Sequence, residues 1–153
     1  MKIRLLSTFI AFMVAFGGLN LTVLNAGSHA SKDHEHTPLE DEMEAISKAF
    51  RTLRRQAKDP AKNAASAELA GKMHKAAVAS LDFEPAWTAE QPAGEQADFV
   101  KGYKKEMEKF VGMLADLEKA FKADDNAKAE MIIGKLRDQQ KSSHKEYKKP
   151  DDD

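Results

Sequence analysis

After Thr37, the apolar residues Leu39, Met43, Ile46, Phe50, Leu53 and Ala57 follow one another at steps of four, three, four, three and four. At 3.6 residues per turn, this spacing puts all six on one face of one helix and commits that face to burial. An isolated helix of this length is marginal in water, so the rest of the chain must supply a partner for the stripe. Three further helical patterns do so. An Ala-rich segment runs from Asp59 and Pro60 to about residue 82, with Leu69, Met73, Ala76, Ala77 and Leu81 inward; its small side chains predict close approach to a neighbour. A third helix is expected over about 95–123, with Phe99, Tyr103, Met107, Phe110, Leu114, Leu117 and Phe121 inward. A fourth is expected to run to about residue 149, with Met131, Ile132, Leu136, Ser143 and Tyr147 inward.

The boundaries carry their own signals. Thr37, Pro38 and Glu40 make a capping box with proline at the first helical position. Asp124, Asp125 and Asn126 make a turn, and Pro85 and Pro92 interrupt helix in the medium connection over 83–94, where Trp87 is expected to pin the loop to the core. Two very short connections and one medium one predict an all-α fold, an antiparallel up-down-up-down four-helix bundle over 38–149.

Residues 1–30 belong to a different pattern. Lys2 and Arg4 precede an apolar run over 5–16, followed by small and polar residues, as in a secretory signal peptide cut after Ala30 or after Ala26. Counting in residues 17–24 would instead give an uncleaved anchor. Export and cleavage are the expectation, with a periplasmic location, a flexible arm over 31–37 and an acidic tail over 150–153. Removing Lys2 and Arg4 takes the basic count from 24 to 22 against 25 acids, a balance that points neither to nucleic acid nor to an anionic membrane. About 123 residues then remain, enough for one domain. With no Cys, the chain has no disulfide framework, no thiolate metal site and no C-x-x-C-H haem tether, so any cofactor is held noncovalently.

Met43 lies one turn into the first helix and His144 about one turn before the end of the last. In an up-down bundle they reach the same end at the same depth, each about 7 Å inside its helix end. A thioether and an imidazole meeting there are able to clamp an iron porphyrin, and Met/His ligation raises the potential of haem iron. Alone, each residue has a plainer reading: Met43 as core filler, His144 as a histidine favoured by the helix C-terminus.

The chain resembles the cytochrome b562 family, exported b-type cytochromes within the broader cytochrome c′ bundle superfamily, from Pro38 to Lys149. The resemblance is carried by Leu39-Glu40-Asp41-Glu42-Met43-Glu44, by Asp98-Phe99 with Gly102-Tyr103, and by His144-Lys145-Glu146-Tyr147-Lys148. That family is itself a type example of the up-down-up-down bundle, so the resemblance and the helix count are not independent. It implies Met43 and His144 as axial iron ligands, Ile46, Met73, Phe99 and Tyr103 as haem contacts, and one noncovalent haem b per chain. It further implies a monomeric electron carrier, not an enzyme, that exchanges electrons with redox partner proteins and is free of the membrane after cleavage. The two Cys positions of covalent c-type relatives fall on Gln140 and Ser143. The family's arginines near Gln140 or Lys141 and at Lys148 are absent, and Tyr103 stands where Phe is usual, adding a hydroxyl that needs a partner.

Other features are weaker. Gly102, a glycine inside a helix, is a place to admit a flat cofactor. His34 and His36, with Asp33 and Glu35, suit either a solvated arm or a divalent metal, which with the acidic tail would make a haem-free, metal-sequestering or stress-related bundle. A five-coordinate gas-binding haem is the other alternative. His74 is expected at the surface. No nucleophile-base-orienter set, phosphate loop or paired-carboxylate site is present to support a hydrolase or transferase.

Overall fold

The computed structural model describes residues 37–150. The expected signal peptide, most of the arm with His34 and His36, and the last three residues of the acidic tail lie outside them. Four helices form: α1 (Pro38–Gln56), α2 (Asn63–Ala79), α3 (Gln96–Lys122) and α4 (Asn126–Tyr147). There is no strand among the described residues. Both halves of the α1 capping box are made: Glu40 N donates to Thr37 Oγ1 at 3.2 Å, and Thr37 N to Glu40 Oε2 at 2.8 Å. Asp59 caps as expected, accepting from Ala61 N at 3.0 Å. It opens a single 3-10 turn, Pro60–Lys62, so the α-helix itself begins only at Asn63.

The order α1, α2, α3, α4 runs antiparallel around the bundle. The alanines of α2 bring it hardest against its neighbours: Ala70 and Ala77 are fully enclosed, and α2 packs most extensively with α3 and next with α1. The deepest core is Leu53, Met73, Leu114, Leu117, Phe121 and Leu136. Burial grades along the α1 stripe, from Leu53 through Phe50 and Ile46 to half-buried Met43 and Leu39, so the stripe is not uniformly enclosed as expected.

One expected core residue is corrected. Met131 is 54% exposed, and α4 buries Ala129, Ile132, Ile133, Leu136 and Tyr147 instead. At about 100° per residue Met131 stands about 140° from Leu136 and cannot share its face. Ser143 does share that face, yet it is only partly covered.

The end formed by the α1–α2 and α3–α4 turns is tied by a polar knot. Buried Asn63 donates to Asp124 Oδ1 and Asn126 Oδ1, both at 2.9 Å, and Asn126 donates to the Ala57 carbonyl at 2.8 Å. Asp124 reaches its place in the left-handed region, at φ 55°. The opposite end is closed by the 83–95 connection, where Trp87 packs edge-on against Phe99 at 5.9 Å, as the loop reading expected. Among the described residues no helix is long and apolar enough to cross a membrane.

Candidate functional site

α1 and α4, the pair that closes the ring, pack least closely of the four neighbouring pairs. A shallow depression runs along their seam, bordered by Ala57 and Arg54 of α1 and by Ile133 and Arg137 of α4. These residues identify the ridges that face each other. Met43 lies two heptads before Ala57, and His144 one heptad after Arg137; at about 20° of drift per heptad, Met43 is turned about 40° from Ala57 and His144 about 20° from Arg137.

Their level follows from the ion pair across the same seam, Lys58 to Glu130 at 3.6 Å. Fifteen residues back from Lys58, which lies two residues past the end of α1, is Met43, and fourteen forward along α4 from Glu130 is His144. Both steps cover roughly 21–23 Å in an antiparallel pair. The Asn126–Ala57 bond gives a register shifted by about one turn. The register thus carries Met43 and His144 to one level to within about a turn.

Met43 is half-buried and packs against the core. His144 is exposed, on the flank of α4. Burial of its inner side, and then the charge of Lys148, hold its imidazole below the ordinary histidine range. The neutral ring is the form that ligates a metal.

The remaining expected contacts line this end from α1, α2 and α3. Ile46, Met73 and Tyr103 are buried, and Phe99 is partly buried against the core. The Tyr103 hydroxyl finds its partner in the Ser80 carbonyl, to which it donates at 3.3 Å. Burial pushes that phenol up to about 12. His74 is partly exposed, near the expected surface position.

Two findings go beyond the sequence reading. Tyr147, which the stripe placed inward but without a site role, packs on Phe99 at 5.2 Å and on Tyr103 at 5.9 Å between ring centres. The space beside Gly102, expected for a flat cofactor, belongs to the Tyr147 hydroxyl, which stands 2.7 Å from where a Cβ would be. Only the i, i+3/i+4 spacing of Phe99, Gly102 and Tyr103 hinted at such a seat. A second shallow depression, along Val100, Lys101, Lys104 and Lys105 on the outside of α3, is remote from the Met43–His144 seam.

The residues fit a haem. Met43 would offer a soft thioether and His144 an imidazole, Ile46, Met73, Phe99 and Tyr103 would offer apolar surface, and the α4 stripe between Leu136 and Tyr147 carries Gln140 and Ser143 over about 16 Å of helix with no apolar filling. Among the described residues no group of His, Cys, Asp and Glu is gathered to hold a bare metal ion.

Four antiparallel helices joined in order, with the first and last parting along a seam, define a class, the up-down-up-down four-helix bundles. The chain belongs to the cytochrome b562 family, whose family model matches residues 38–148. Membership points to a haem-binding electron-transfer cytochrome, as the sequence resemblance implied. None of the curated proteins matches this chain.

Proposed function

We propose that the chain is a periplasmic electron carrier that holds one haem b noncovalently, with Met43 and His144 as the two axial ligands. The observation that carries this reading is the antiparallel register across the α1–α4 seam, which runs from Lys58 and Glu130 to Met43 and His144. When bound, the haem supplies a one-electron Fe(III)/Fe(II) couple. The chain supplies the rest. The His144 imidazole is the stronger donor, and the Met43 thioether is the softer one, which favours Fe(II) and raises the potential. Ile46, Met73, Phe99 and Tyr103 offer apolar surface and keep water away, and a rigid bundle limits rearrangement between redox states. Two protein ligands leave no open position for oxygen or peroxide chemistry, which suits a carrier rather than an enzyme. The absence of Cys supports noncovalent binding, and the pattern of residues 1–30 supports export with cleavage. The carrier acts as a monomer and meets separate redox proteins.

The test is spectroscopic. His144→Ala should largely abolish haem binding. Met43→Ala should keep haem through His144 but turn it high-spin and lower its potential. If both variants keep the wild-type low-spin spectrum, the two residues are ordinary core and surface positions. A high-spin wild type would favour the five-coordinate gas-binding reading, and protein purified without haem the cofactor-free bundle.

A further inference from the structure

Gly102 lies inside α3, where a residue without Cβ weakens the helix. A Cβ there would stand 2.7 Å from the Tyr147 hydroxyl oxygen but 3.6 Å and 3.7 Å from Cζ and Cε1. Only the hydroxyl therefore forbids a side chain. The ring is held on its other sides by Phe99 and Tyr103, and the hydroxyl donates to the Glu146 carboxylate at 3.0 Å. Tyr147 is the last residue of α4, a position where helices ordinarily fray, yet it is only 9% exposed.

His144 precedes Tyr147 by three residues on the same turn, which the Lys148 N to His144 O bond closes at 3.1 Å. The loosely packed α1 offers this end of α4 little support. Across the bundle α3 does hold α4: Gln139 donates to the Glu106 carbonyl at 2.6 Å, and Tyr147 completes the attachment two turns further on.

We propose that Tyr147 is a positioning residue for the cofactor: seated on Gly102, it locks the last turn of α4 to α3 and so fixes where the His144 imidazole stands toward α1. This inference rests on His144 being a ligand, as proposed above. It assigns Gly102 a different task from admitting the cofactor.

The test uses the full chain and haem b, with two readouts: the low-spin fraction by absorption, and the dissociation constant from quenching of Trp87, the chain's one tryptophan, which touches Phe99. Gly102→Ala should bind haem about tenfold more weakly and become partly high-spin, because the displaced hydroxyl carries the α4 end with it. Helix content should hold, since Ala is the better helix former. Tyr147→Phe should stay near wild type. The double variant Gly102→Ala with Tyr147→Phe should recover the Tyr147→Phe values, because the ring carbons tolerate a methyl group at their distances. Tyr147→Leu should lose low-spin haem as Gly102→Ala does, which keeps the test open if Gly102→Ala folds poorly. A wild-type spectrum and affinity for Gly102→Ala, or a double variant no better than the single, overturns the proposal. A His144→Ala variant that remains low-spin removes the ligand reading and this inference with it, whereas loss of low-spin haem in His144→Ala beside an unaffected Gly102→Ala sinks this inference alone.

Discussion

Replacing Tyr103 by Phe should make the protein less sensitive to alkali. Tyr103 is 6% exposed and its phenol is pushed up to about 12 from an ordinary value of 10.0, with burial as the cause. The folded state therefore keeps this proton where the unfolded chain has already released it, so stability falls as pH rises. The contribution is intact below pH 10, declines from there and is gone above the folded value. Two pH units correspond to about 3 kcal/mol, of which about half is lost by pH 11. At pH 8 the variant should differ from wild type by no more than about 1 kcal/mol, because the hydroxyl it removes makes only a long bond, 3.3 Å, to the Ser80 carbonyl. Urea unfolding followed by circular dichroism, with both proteins side by side at pH 8 and pH 11, measures the difference. Lysine deprotonation affects both alike and cancels. The wild type should lose on the order of 1 kcal/mol more than Tyr103→Phe between the two pH values. Parallel losses would mean that the buried phenol is not what links the fold to alkali.

Asn63→Ala should cost about 1–2 kcal/mol in thermal or urea unfolding, since it removes a buried amide that donates to exposed Asp124 and partly buried Asn126, while leaving the haem spectrum unchanged at the far end. Met131→Lys should alter the unfolding midpoint by less than about 0.5 kcal/mol, because the side chain is half in water; a large loss would contradict its outward direction. Acidified organic solvent should extract essentially all haem from the polypeptide, and colour retained on a denaturing gel would contradict noncovalent binding. Mass spectrometry of the periplasmic fraction should find a new N-terminus near Gly27 or Ser31, whereas an intact Met1 in the membrane pellet would support an anchor.

The sequence by itself determined the helices and most of their inward faces, because both are local. The 4-3-4-3-4 stripe of α1 needs only the period of the backbone, and the Thr37–Glu40 box needs only four residues. It also named Met43 and His144 as candidates through residue type, position and family resemblance. It misjudged Met131, where apolar character was counted above an angle that periodicity already supplied. What only the tertiary structure decided is which distant residues share a seam, a knot or a seat. Asn63 meets Asp124 and Asn126 across 61 and 63 residues, and nothing in the periodicity of either segment announces that pairing. The level at which α1 and α4 pass each other is set by packing, with the exposed Lys58–Glu130 pair only a marker of it, and a shift of one turn would leave every local signal unchanged. Gly102 carries the same lesson: in the sequence it is a gap in a helix, and only the folded bundle shows that the Tyr147 hydroxyl fills it, because side-chain volume is apportioned between helices and not along one.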